Sequence, residues 1–167
     1  MGNRANVIFT AHNHTEIGPA VYLHWNGGPE SIYPFLDELD RRGMRTGDVS
    51  YETARFIHVV CDFMDQDEVT TISVGVSTGP SEIAVESLQP YNPGDNGVYV
   101  VERGKDKRLV RRFVVGASWS DPLREVSAEE VLQECERANA HPYNSPAEGQ
   151  SIAEIFGRIR PTVGISA

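Results

Sequence analysis

The run Val21–Arg42, VYLHWNGGPESIYPFLDELDRR, leaves the backbone few choices. Its first five residues are β-branched, aromatic or alternating, and they read as a strand. On that strand Val21, Leu23 and Trp25 share one face and Tyr22 and His24 the other. Trp25 is expected to close the core at the end of the sheet. Asn26-Gly27-Gly28-Pro29 then breaks the strand, with backbone angles that residues lacking a Cβ adopt freely. Ile32, Phe35, Leu36 and Leu39 recur at helical spacing. Pro34 has no N–H and belongs in a first turn, which puts the helix start near Ser31. Gly43 supplies its end. A strand that passes straight into an amphipathic helix means a sheet with helices packed on it.

The same reading extends along the chain. Asn6–Thr10 and Ala20–Trp25 are expected to pair as a hairpin, with the polar stretch 11–19 between them. Ser50 is a candidate cap for a helix to about Met64, with Phe56, Val59, Val60, Phe63 and Met64 as its apolar stripe. Thr71–Val76 is a β-branched run. The turn-rich Pro93–Gly97 opens a second hairpin, Val98–Glu102 with Leu109–Val115. Ser127 with Glu130 and Ser151 with Glu154 are capping boxes for two further helices, to about Ala138 and Ile159. Five strands and four helices, partly joined by hairpins, predict an α+β fold: a mainly antiparallel sheet covered on one face. The length of 167 residues suits a single domain over 1–167, with 160–167 a loosely packed tail.

Charge narrows the partners. The chain carries 24 acidic and 15 basic residues, a net charge of −9, which opposes general nucleic-acid binding. The balance is uneven. Arg103, Lys105, Lys107, Arg108, Arg111 and Arg112 crowd the second hairpin, and the remainder is strongly acidic. Without interleaved aromatics this hairpin lacks a stacking surface for bases and is expected to be a charged edge that discourages sheet-to-sheet association. Asp37, Glu38 and Asp40 mark one acidic surface, and Asp62, Asp65, Asp67 and Glu68 another. Carboxylates in such rows imitate phosphates to a nucleic-acid-binding protein. The run 65–68 has neither the glycine nor the spacing of a calcium loop.

No window reaches the apolar length of a membrane span, and the first residues lack a signal-peptide core. Gly2 is not followed by the Ser or Thr at position 6 that myristoylation requires, since Asn6 stands there. Cys61 and Cys135 have no CxxC partner and read as free thiols of a reducing compartment. A cytoplasmic protein is the expectation.

Four constellations invite chemistry. His12 and His14, with Glu16, have the i, i+2 pattern of metal ligands. In the hairpin reading the third candidate, His24, lies at the other end of the strand pair, about 15 Å away at roughly 3.3 Å per residue. No metal is therefore expected, and none of the chain's motifs calls for a cofactor. Gly75-Val76-Ser77-Thr78-Gly79 matches a nucleophile elbow, with Asp121 and His141 following in hydrolase order. That elbow needs a large, mostly parallel sheet, so Ser77, Asp121 and His141 stand as a fallback only. His58 and Asp62 are i and i+4 on one polar helix face and read as a solvated pair. Gly27-Gly28 before a helix resembles an anion cradle, but Pro29 deletes a donor and Glu30 places a negative charge there. Tyr22 and His24 remain as the lining of a surface pocket.

Two segments resemble a family. Met1-Gly2, Arg4 and Val7, followed by Tyr22, His24-Trp25-Asn26-Gly27 and a helix, are similar to an uncharacterised family of small bacteriophage and mobile-element proteins, over roughly the first 40 residues. The resemblance implies a bacterial or phage-infected cytoplasm. It also implies an accessory role, such as interference with a host defence complex. Together these readings lead to a non-enzymatic protein-interaction module. Its expected binding residues are Tyr22, His24, Asp37, Asp40, Asp62 and Asp65. The alternatives are a small hydrolase and a nucleic-acid regulator acting through residues 103–112.

Overall fold

The computed structural model describes residues 3–43, 45, 47–66, 74–104, 108–118 and 120–140, with the side chains of 64–66 and 138–140 excepted. The expected last helix, the tail, Lys105, Lys107, Asp67, Glu68 and His141 lie outside the described residues, as does the side chain of Asp65. The strands are β1 (Ala5–Ala11), β2 (Ile17–Leu23), β3 (Val74–Ser77), β4 (Val98–Arg103), β5 (Arg108–Val115) and β6 (Leu123–Glu125). The helices are α1 (Pro29–Arg41), α2 (Val49–Gln66), the single turn α3 (Val85–Leu88) and α4 (Ala128–Ala140). One sheet contains all six strands in the order β3-β2-β1-β4-β5-β6. Every neighbouring pair is antiparallel except the central one, β1 with β4.

The α+β architecture with a mostly antiparallel sheet is therefore as expected, and both hairpins form. Two features go beyond the expectation. A sixth strand, β6, closes one edge. The sheet is also covered on both faces. On the first face Val7, Phe9, Val21, Leu23, Tyr99 and Val101 pack under Ile32, Phe35, Leu36 and Leu39 of α1, Phe56, Val60 and Phe63 of α2, and Val131 of α4. On the second face Ile8, Ala20, Val98, Val100, Phe113 and Leu123 bury Leu88, with Ile83, Val85 and Tyr91 packed around it. A two-sided core follows from the central strands, whose runs Val7-Ile8-Phe9 and Val98–Val101 are apolar on both faces.

The turn between β2 and α1 tightens more than periodicity suggests. α1 starts at Pro29, capped by Gly28, whose carbonyl accepts from the Ser31 and Ile32 N–H groups. Pro34 consequently lies inside the helix rather than in its first turn. Strand β2 ends at Leu23, so Trp25 leaves the alternation. It is 38% exposed and does not close the core. Asn26 takes a left-handed φ of 58°. An ideal Cβ on Gly27 would fall 2.6 Å from the Ala5 nitrogen and 2.7 Å from the Arg4 carbonyl carbon, so glycine is needed here for close approach to β1. Gly43 ends α1 with a φ of +74°. The first turn of α2 is capped by Asp48, whose Oδ1 accepts the Tyr51 N–H at 2.9 Å; Ser50 lies within the helix. Pro19 sits in β2 beside the irregularity in the β1–β2 register, where a missing N–H is tolerated.

Candidate functional site

The segment that opened the analysis sits at one end of the sheet. The Asn3 N–H donates to the His24 carbonyl, and the Gly27 N–H donates to the Asn3 carbonyl. Tyr22 lies on the second face, opposite Asn6 in the β1–β2 register. Its hydroxyl is 3.0 Å from His24 Nδ1, and the His24 ring stands edge-on to Trp25 with centroids 5.0 Å apart. Arg4 and Asp95 close this end with a two-pronged ion pair, and the Arg4 guanidinium holds the Asp95 carboxyl below its ordinary range. Tyr22, His24 and Trp25 thus form a half-exposed aromatic shelf. No anion cradle exists beside it. The Glu30 carboxylate folds back over Gly28, and burial pushes that carboxyl up.

The two charge populations separated along the sequence meet in space. Arg108 reaches both Asp37 and Asp40 at 2.6 Å, and Arg103 bonds Asp40. Arg111 grips Glu125 with two bonds, of 2.9 and 2.7 Å. Arg112 is buried, stacked over Tyr99 and bonded to Glu134 of α4. All four described arginines of the hairpin are therefore engaged by carboxylates. Asp37 is buried rather than part of a docking surface. Asp62 is partly exposed and meets Arg42 and, at 3.6 Å, His58 Nε2. The Arg42 hydrogen bond is the main cause of its lowered carboxyl pKa. Glu38 bonds Arg41 and Arg42 together.

Two members of the fallback hydrolase set, Ser77 and Asp121, are not brought together. Ser77 ends β3 at one edge of the sheet, exposed, and Asp121 precedes β6 at the other, with four strands between them. At about 4.8 Å per strand the two stand roughly 20 Å or more apart. Asp121 accepts the Ser118 N–H at 2.8 Å and so serves its own loop. Cys135 is buried, and burial pushes its thiol up to about 12, which leaves it a poor nucleophile.

His12 and His14 lie at the far end of β1 from His24, as the hairpin reading requires. Their carboxylate neighbour is not Glu16, which is exposed, but Glu102 of β4. The parallel pairing sets Thr10 opposite Glu102 and brings it there. Among the described residues, no group of three or more His, Cys, Asp or Glu side chains could hold a metal ion. Glu102 was beyond sequence reasoning, because nothing local announces a pairing across some 90 positions.

Among the described residues no helix is long and apolar enough to cross a membrane. Compared with known proteins, the chain matches no family model, no curated protein and no solved structure.

Proposed function

We propose that this chain is a non-enzymatic protein-interaction module that docks a basic partner through its acidic surface. The observation that carries the reading is the engagement of Arg103, Arg108, Arg111 and Arg112 by Asp37, Asp40, Glu125 and Glu134. With these four arginines engaged by carboxylates, the chain's net charge of −9 favours a basic partner over an acidic one. Such a surface steers and selects a positively charged partner. Asp62 of α2, partly exposed, with Asp65 three residues further along the sequence, is the docking point. The aromatic shelf of Tyr22, His24 and Trp25 adds a second contact of the kind enriched at interfaces. The resemblance to phage and mobile-element proteins makes a nucleic-acid-binding host defence complex the class of partner, with the carboxylates taking the place of phosphates.

The test is a pull-down from bacterial lysate at low and high salt, followed by affinity measurements on the recovered partner. Reversal of Asp62 and Asp65 to Lys is expected to weaken binding at least tenfold, chiefly by slowing association. Reversal of Lys105 and Lys107 to Glu is expected to change it little. The opposite ranking overturns the acidic-surface reading and places the hairpin first.

A further inference from the structure

The two edges of the sheet are built differently. β6 is three residues long, and two of them, Arg124 and Glu125, are exposed and held in ion pairs with Glu130 and Arg111. Charges of this kind keep an edge strand from pairing with another chain. β3 has no such protection. Val74-Gly75-Val76-Ser77 carries no charge, and Pro80 falls after its end rather than within it. Among the described residues only β2 pairs with β3, so its outer row of N–H and C=O groups meets no described strand. Val76 is 58% exposed, more than either Trp25 or Leu109.

This edge is also self-complementary. The register Val21↔Val76 and Leu23↔Val74 puts both valines of β3 on the first face, where Val74 packs against the core. Gly75 lies opposite Tyr22, on the second face. Val74-Gly75-Val76 reads the same in both directions. A two-fold axis at Gly75 therefore sets Val74 opposite Val76 of a second copy, and Gly75 opposite Gly75, in antiparallel register. A symmetric dimer contact needs this match of a patch with itself. The valines then meet as cross-strand β-branched pairs on the first face, which covers Val76. On the second face the paired glycines have no side chains to obstruct the approach. The strand is held ready: an ideal Cβ on Gly79 would fall 1.9 Å from the Gly18 carbonyl oxygen, so the chain leaving β3 lies pressed against β2.

We propose that β3 is a homodimerisation edge, where a second copy of this chain adds its own β3 antiparallel about a two-fold axis at Gly75 and continues the sheet. The strand is short and each copy carries a net charge of −9, so the contact is small and works against repulsion. The dimer is accordingly a reversible one, with a dissociation constant on the order of 100 µM, at the weak end of specific association. It does not rest on the acidic docking surface proposed above, and it responds to salt in the opposite sense.

Sedimentation equilibrium of the full chain, over about 10 µM to 1 mM to bracket that constant, is expected to show monomer and dimer in exchange. Added salt is expected to strengthen the dimer by screening the repulsion between copies. Val76→Lys, at an exposed position, is expected to keep the circular dichroism spectrum and to weaken dimerisation by about tenfold or more. Leu109→Lys, the same kind of change at an exposed apolar side chain of β5, is expected to leave it unchanged. The register is read by cross-linking in a Cys61→Ser background. Gly75→Cys is expected to form a disulfide dimer on mild oxidation, because directly opposed residues stand about 4.5–5.5 Å apart at Cα. Val76→Cys is expected to cross-link far more slowly, since the two copies of that residue stand roughly 8 Å apart, beyond disulfide reach. A chain that stays monomeric throughout overturns the proposal. So does a dimer that survives Val76→Lys, that salt weakens, or that cross-links faster through Val76→Cys than through Gly75→Cys. A monomeric chain whose Val76→Lys variant loses the partner recovered from lysate would assign the edge to a foreign strand instead of a second copy.

Discussion

Arg108 Nη2 lies 2.6 Å from Asp37 Oδ1, joining β5 to α1 with both side chains less than a tenth exposed. A buried pair of this kind adds little over an apolar replacement, but breaking it strands a charge. Arg108→Met is expected to cost about 3 kcal/mol of unfolding free energy. Adding Asp37→Asn should recover part of that loss. Urea denaturation of the two single variants and the double variant checks this. Additive losses would show that the two side chains do not depend on each other.

Gly27 is held against the start of β1, where an added Cβ would press on backbone rather than on a movable side chain. Gly27→Val is expected to destabilise by about 2 kcal/mol through overpacking. His24→Ala removes only the contacts to Tyr22 and Trp25 and should cost no more than about 1 kcal/mol. Thermal unfolding compares them. A His24→Ala protein that fails to fold would make His24 a core residue.

The two positions also show what the sequence made legible. The hairpins, the stripe of α2 and the bend at Asn26–Gly27 are local patterns, set by residues a few positions apart. The β1–β4 pairing is not local. It carries with it the meeting of Glu102 with His12 and His14, and the neighbourhood of Arg103 and Arg108 with α1. Charge read along a chain counts acids and bases without placing them, so hairpin arginines and helix aspartates that neutralise one another looked like two separate surfaces. Trp25 was misread for a simpler reason: the strand stops two residues early, and alternation says nothing past its end.

Stability should fall on both sides of a pH maximum. Glu52 is 1% exposed on α2, and burial raises its carboxyl pKa despite Arg103 at 3.6 Å. A raised folded pKa contributes stability that is complete below the unfolded value of about 4.3 and is lost as pH rises through the folded value. Glu52→Gln should flatten this limb. Glu38 and Asp95 are lowered by Arg41 and Arg4, so their contribution is present above the unfolded carboxylate range and is lost as pH falls through their folded values. Denaturation midpoints from pH 3 to pH 8, within roughly the carboxylate-to-neutral window, test both limbs. A Glu52→Gln profile that parallels the parent would remove Glu52 from the account.

At the start of α4 the capping box closes in both directions. Ser127 Oγ accepts the Glu130 N–H at 3.2 Å, and Glu130 Oε2 accepts the Ser127 N–H at 3.0 Å. Arg124 is the larger cause, and Ser127 the next, of a Glu130 carboxyl lowered to about 2. The cap matters beyond its own turn, because α4 carries Val131 and Cys135 into the core and Glu134 to Arg112. Ser127→Ala is expected to cost about 1 kcal/mol, the usual loss for an N-cap. Amide hydrogen exchange should then quicken first in residues 129–132, since end fraying opens a helix locally before it unfolds the domain. Uniform acceleration across β4 and β5 as well would mean that α4 docks and undocks as one piece, with Arg112 and Glu134 as its hinge contact.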